Sequence, residues 1–286
     1  MLPINWGIAI KYASLVKIAE SVAPSGSYGQ TEINQMQATG YTFLQTIYGD
    51  NLSTDIDPHL GFLVSFGFLA VSNTKELVAA IRGTDTILEW LHDLAFLMVP
   101  CPIRGGHGLT EDGFTAVYQS LGIGKTRGGL SVKDSIKSYL DTGVAENVTV
   151  CGHSLGGALA TLLALDVGLN TSCRALNAYT FASPRVGDHI FAAFYNACVP
   201  FSYRIANRQD LVPKLPPILP LPYEHVNTQY ELIPPPNKIN ATIVCMHILS
   251  TYLWLMDQLA GANVYPLDPG CKFTRAPSLT VPPPQV

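Results

Sequence analysis

Residues Gly152-His153-Ser154-Leu155-Gly156 set a serine between two glycines, and the flanking segments restrict what the chain can fold into. Asn147 to Cys151 ahead of the motif is short, apolar and β-prone, and Gly157 to Leu165 behind it is rich in alanine and leucine, as a helix would be. Strand, sharp turn and helix within so few residues describe a nucleophile elbow: the serine takes strained backbone angles and its hydroxyl stands at the edge of a sheet. The helix that follows points N–H groups and its positive dipole end toward that hydroxyl. G-x-S-x-G alone recurs by chance, and the strand before it and helix after it are what give it weight.

The rest of the chain alternates in the same way. Ile8, Leu15, Ile18 and Val22 are spaced as on an amphipathic N-terminal helix, and short helical pieces are expected from there through Tyr48. Phe62 to Val71 and Glu76 to Arg82 read as a hairpin turning at Ser72-Asn73-Thr74. Helices are expected over 110–121, 131–140, 187–197 and 247–259. Further strands are expected over 175–182, 201–206 and 225–232, with a Pro-rich loop running to Pro222 and a Pro-rich tail over 278–286. This order predicts an α/β fold with a mostly parallel central sheet flanked by helices. No linker or change of composition divides the 286 residues, so a single domain over 1–286 is expected.

Apolar residues make up 48% of the chain and charged ones 13%, about half the usual ~25%. The net charge of −4, with no basic run, argues against a nucleic-acid partner. Ile243 to Met256 is the most apolar stretch, but it contains His247, Ser250 and Thr251 and falls short of the ~20 residues of a membrane span. Lys11 and Lys17 interrupt the N-terminal apolar run and no charged segment precedes it. There is thus no clear signal peptide, and either a cytoplasmic or a mature secreted chain is expected. The six cysteines show no C-x-x-C spacing, so no zinc site is expected and their pairing stays open. N-x-S/T sequons begin at Asn51, Asn147, Asn170 and Asn240, and the Asn147 one opens a core strand.

A serine hydroxyl is a weak nucleophile until a base takes its proton and a carboxylate orients that base. In the elbow arrangement the chain order is serine, acid, histidine. Asp166, Asp188, Asp210, Glu224, Glu231, Asp257 and Asp268 follow Ser154. Among them Asp210 stands out, because it follows the strand Ser202 to Ala206 and opens the stiff loop of Pro213, Pro216 and Pro217. Of the histidines that follow, His189 adjoins a helix cap, His247 opens the last apolar helix and is the favoured base, and His225 is the runner-up. An oxyanion would be met by the N–H of Leu155 and by Thr84, which follows the turn at Arg82-Gly83. No metal or cofactor is called for by this chemistry.

Arg82-Gly83-Thr84, Gly152 to Gly157, Phe181-Ala182-Ser183-Pro184-Arg185-Val186-Gly187 and Asp210-Leu211-Val212-Pro213 together resemble the class 3, fungal-type triacylglycerol lipases, in register from about Val64 to Met256. The resemblance implies an α/β-hydrolase fold, Ser154 as nucleophile, Asp210 as acid, His247 as base, and Thr84 and Leu155 in the oxyanion hole. It makes His225 structural. Ile87, Trp90, Leu91 and Leu94 recur at helical spacing directly after the oxyanion turn. In that family this position holds a lid, so one is expected at about 86–96. The implied substrate is an acylglycerol ester at a lipid–water interface; the oligomeric state is left open by the sequence, with a monomer as the default expectation. Phospholipase A1 and feruloyl-type esterase are the alternatives within the same chemistry. A non-catalytic lipid-binding protein is the alternative outside it.

Overall fold

In the computed structural model, the residues described are 3–23, 25–50, 63–83, 96–126 and 128–273. The chain opens with α1 (Trp6–Glu20) and α2 (Gln30–Ala38), followed by β1 (Tyr41–Asp50), β2 (Leu63–Ser72) and β3 (Glu76–Ile81). Next come β4 (Met98–Pro100), β5 (Leu109–Glu111), α3 (Asp112–Ser120), β6 (Gly122–Ile123), β7 (Leu130–Ser131) and α4 (Val132–Asp141). The central segment holds β8 (Asn147–His153), α5 (Leu155–Asn170), β9 (Ala175–Phe181), β10 (Gly187–Asp188), α6 (His189–Cys198) and β11 (Ser202–Asn207). The last elements are β12 (Tyr223–Glu224), β13 (Gln229–Leu232), α7 (Ile243–His247) and α8 (Leu249–Ala260).

Nine strands form the main sheet in the order β13-β11-β9-β8-β3-β2-β1-β6-β7. From β3 to β13 every pairing is parallel, whereas β2 pairs antiparallel with both β1 and β3, closing the expected hairpin at Val71↔Leu77. β12, β10, β5 and β4 make a small antiparallel sheet. Alternation along β3 explains how both faces of the main sheet are covered. Leu77, Ala79 and Ile81 pack into a cluster with residues of α3 to α6, while Val78 and Ala80 pack into another with α1, α7 and α8. α5 is buried along nearly its whole length, which is why its sequence is apolar all round rather than striped. The α/β architecture read from the sequence is the one observed.

Three local expectations are corrected. Tyr41 to Tyr48 is strand, not helix: Gly40, at φ 86°, turns the chain out of α2, and the Tyr, Thr, Phe and Ile that follow suit a pleated surface. The run 225–232 is strand only over Gln229–Leu232, because Asn227, at φ 50°, breaks its start. His247 does not open the last helix. It ends the short α7, and Ile248, extended at φ −55° and ψ 142°, separates it from α8.

Candidate active site

At the end of β8 the chain turns through Ser154 at φ 57° and ψ −126° and enters α5 with Leu155. Such a backbone costs on the order of 1–3 kcal/mol and persists only when its surroundings dictate it. They do so here by contact. The Ser154 N–H donates to the Phe181 carbonyl at 2.9 Å, and the Gly157 N–H donates back to the Ser154 carbonyl at 2.8 Å. A Cβ on Gly152 would lie 2.0 Å from the Gly156 oxygen, and one on Gly156 would lie 2.4 Å from the carbonyl oxygens of Ile81 and Arg82. Both glycines therefore answer to close backbone approach. The turn after β3 reaches the same spot, since a Cβ on Gly83 would sit 3.0 Å from Ser154 Cβ.

Asp210 lies just past the end of β11 and is wholly buried. Its Oδ1 accepts from the Val212 N–H at 3.0 Å, and its Oδ2 accepts from His247 Nδ1 at 2.9 Å and from the Tyr252 hydroxyl at 2.7 Å. The Tyr252 oxygen in turn accepts the Asn207 N–H at 2.9 Å. The Pro-rich loop beyond Asp210 is clasped by Arg185, whose Nη1 donates to the Pro216 carbonyl at 2.7 Å. That contact gives the arginine of the Phe181–Gly187 run a physical role. The disulfide Cys245–Cys271 ties α7 to the C-terminal segment, and Thr242 caps the helix by accepting from the Cys245 N–H.

His247 is buried, with its Nδ1 committed to Asp210, which leaves Nε2 as the nitrogen with a lone pair. Neither His247 Nε2 nor Ser154 Oγ has a hydrogen-bond partner among the described residues. One contact joins the segments that carry them: His153, which precedes Ser154, bonds through Nε2 to the His247 carbonyl oxygen at 2.8 Å, and the rings of His153 and His247 are 4.8 Å apart. Burial holds the His247 pKa below the ordinary histidine range, against the pull of the Asp210 carboxylate and with help from the charge on His153. The imidazole is thus neutral near pH 7. A hydroxyl, a neutral imidazole and an orienting carboxylate in this array can move a proton off oxygen and put it back on a leaving group.

The other candidates fall elsewhere. His225 Nε2 donates to the Pro213 carbonyl at 2.6 Å, and burial together with the nearby Arg204 charge pushes its pKa down to about 3. His189 is the first residue of α6, behind the Asp188 cap, and Asp166 is bound by Tyr118 and Asn170. Asp257 is buried in α8, where one oxygen accepts from the Tyr265 N–H at 2.9 Å. Leu155 heads α5, so its N–H is free of intrahelical bonding. Thr84, Ile87, Trp90, Leu91 and Leu94 lie outside the described residues. Tyr252 was not singled out from sequence, and no motif marks it: it meets Asp210 only because α8 packs back over the end of β11. Among the described residues, no group of three or more His, Cys, Asp or Glu is arranged to hold a metal ion.

The fold is the α/β-hydrolase fold. A lipase from Yarrowia lipolytica superposes with a TM-score of 0.62 at 21% identity, over 80% of this chain and 81% of that one. The model of the family Lipase (class 3) matches residues 78–219, and the chain belongs to that family. Secreted mono- and diacylglycerol lipase A of Penicillium cyclopium is 31% identical over 213 residues, 73% of this chain and 62% of that protein. A phospholipase A1 of Oryza sativa subsp. japonica is 33% identical over 184 residues, 56% of this chain and 44% of that protein. The chain thus spans less than two thirds of the length of these curated relatives.

Proposed function

We propose that this chain hydrolyses acylglycerol esters through an acyl-Ser154 intermediate. The carrying observation is the buried Asp210–His247 bond at 2.9 Å, which occupies Nδ1 and leaves His247 Nε2 unpartnered among the described residues, as the Ser154 hydroxyl also is. In this reading His247 takes the Ser154 proton as the oxygen attacks the ester carbonyl and then gives it to the departing alcohol. A water molecule, activated by the same nitrogen, frees the fatty acid and restores the serine. Asp210 stabilises the imidazolium at each stage. The N–H of Leu155, at the positive end of α5, and Thr84, following the Gly83 turn, are proposed to receive the oxyanion.

Apolar side chains support a lipid substrate. Leu211, Ile218, Leu219 and Val244 are exposed, and all sit on the segments that carry Asp210 and His247. A lid at about 86–96 that covers the site in water and opens at an interface completes this reading, as does a single domain over 1–286. No described helix is long and apolar enough to cross a membrane. The Cys245–Cys271 disulfide favours an oxidising, extracytoplasmic setting. The named mono- and diacylglycerol lipase relative favours neutral acylglycerols, and the phospholipase A1 relative supports a second reading in which the ester belongs to a phospholipid.

The test is turnover of p-nitrophenyl butyrate, a diacylglycerol emulsion and phosphatidylcholine vesicles by the parent chain and by Ser154→Ala. The expectation is hydrolysis by the parent, fastest on the emulsion, and a fall in kcat of about 10⁶-fold in the variant. Activity in Ser154→Ala close to that of the parent would refute the nucleophile. A parent that neither turns over any of the three nor reacts with a fluorophosphonate probe would be a non-catalytic lipid binder on this fold.

A further inference from the structure

A second buried histidine lies against the Asp210–His247 pair, and the hydrolysis steps leave it without a task. Both ring nitrogens of His153 face acceptors. Nδ1 is 2.8 Å from Glu20 Oε1, and Nε2 is 2.8 Å from the main-chain oxygen of His247. A neutral imidazole has one N–H and cannot donate to a carboxylate and a carbonyl at once, so this geometry is satisfied by an imidazolium paired with an ionised Glu20. The electrostatics of the pair agree on both sides. Burial opposes charge on His153, yet the Glu20 carboxylate and its hydrogen bond hold the pKa above the ordinary histidine range. Burial likewise opposes charge on Glu20, yet His153, with help from Lys17 and Arg82, holds its pKa below the ordinary carboxylate range.

Each end of this strut lies on a different part of the fold. Glu20 closes α1, which precedes the family-matched residues 78–219. His153 is the last residue of β8, immediately before Ser154. His247 ends α7. One hydrogen bond therefore joins the main chain of the proposed base to the residue beside the proposed nucleophile, and a charge-assisted one ties that residue to the N-terminal helix. Around the two imidazoles the charged or titratable neighbours are Glu20 and Lys17 from α1, Arg82 after β3, Asp210 after β11, and Tyr252 of α8, whose ring stands edge-on 6.0 Å from that of His153.

We propose that protonated His153, held by Glu20, is a positioning residue for hydrolysis: it fixes the main chain of His247 against the elbow, and its charge keeps His247 unprotonated into mildly acidic solution. This rests on the reading of Ser154, Asp210 and His247 as a triad. Two pH effects follow. At the acid end, a positive charge beside His247 disfavours a second one, so activity extends lower than it would without the pair. At the alkaline end, His153 loses its proton as the pH rises through its raised pKa. Its Nδ1 lone pair then faces the Glu20 carboxylate, the ring shifts, and activity falls.

The test combines Glu20→Gln, His153→Ala and ¹⁵N NMR of the imidazoles in the intact parent. In Glu20→Gln the amide can donate to Nδ1, so the bond to the His247 carbonyl survives without the charge. Its kcat/KM profile on p-nitrophenyl butyrate is expected to lose the alkaline fall and to move its acid limb to higher pH. His153→Ala is expected to lower kcat by about 10- to 100-fold, as for a displaced catalytic group, with KM changed less than about twofold. The ¹⁵N spectrum should show both His153 nitrogens protonated at pH 7. A neutral His153 in that spectrum overturns the inference even if a variant fails to fold. So does an active parent whose pH profile is unmoved in a folded Glu20→Gln. An inactive parent that a fluorophosphonate leaves unlabelled sinks the triad reading instead.

Discussion

Ser154 and His247 end up in the same corner of the molecule by opposite routes. The serine is bent mainly by its immediate neighbours: Gly152 and Gly156 let backbone pass against backbone, the strand and helix on either side dictate a φ of 57°, and the Phe181 carbonyl accepts its N–H. The histidine is held by residues distant in sequence. Asp210 lies 37 positions earlier, His153 94 positions earlier, and Cys271, 24 beyond by its numbering, tethers α7 through Cys245. The Ser154 side is therefore sensitive to local volume, and the His247 side to distant contacts that a short helix cannot replace.

Removing the proposed base has the largest expected effect. His247→Ala should lower kcat on p-nitrophenyl butyrate by about 10⁴-fold or more, as loss of a triad member does. His225→Ala should stay within about threefold in kcat, because that ring serves the Pro213 carbonyl and is held neutral by burial. A large loss only in His225→Ala would reverse the assignment. Next comes Gly152→Ala. With the new Cβ 2.0 Å from the Gly156 oxygen, the cost should reach about 3 kcal/mol, the upper end for overpacking. Calorimetry should then show a Tm lower by roughly 6–12 °C. A Tm within a degree of the parent would mean that the elbow is looser than its contacts indicate.

Tyr252→Phe tests the distant side. It deletes the hydroxyl that donates to Asp210 and accepts from the Asn207 N–H, at a cost of about 1.5–3 kcal/mol for a bond to a charged group. With Asp210 less firmly held, kcat should fall by about tenfold while KM for a soluble ester stays put. A rise in KM with kcat unchanged would instead place Tyr252 in substrate binding. The smallest effect is on pH dependence. Folding depresses the His247 pKa through burial, so kcat/KM should hold below the ordinary histidine value of about 6.5 and fall only as the pH drops through the depressed one. The same sign governs stability: the contribution of His247 is complete above about 6.5 and is lost as the pH falls toward its folded pKa. Chemical denaturation at a series of pH values would read it. An acid limb at or above 6.5 would contradict this.

The same division runs through what was legible beforehand. The β2–β3 hairpin, β8, α5 and β9 could be read from the sequence because each obeys its own periodicity or turn chemistry within about ten residues. Ser154 was legible for that reason. β1 was misread although Tyr41 to Asp50 has ample β-branched and aromatic content, because short runs carry little signal until a partner strand supplies the ladder. The break at Ile248, which sets His247 at the end of one helix rather than the start of another, leaves no mark in an apolar run. Tyr252 and Glu20 had no signal at all. Each is an ordinary residue of an ordinary helix until α8 and α1 pack over one face of the sheet.

By itself, the order of residues determined the α/β alternation, the elbow and the short set of acids and histidines from which a triad could be drawn, since all of these follow from local sterics and chain order. Only the tertiary structure decided that Asp210 meets His247 rather than another partner, that Tyr252 steadies the carboxylate, and that the N-terminal helix brings a carboxylate to His153. Those pairings depend on how helices pack across a sheet, which is fixed by the burial of whole faces and is not written in any one segment.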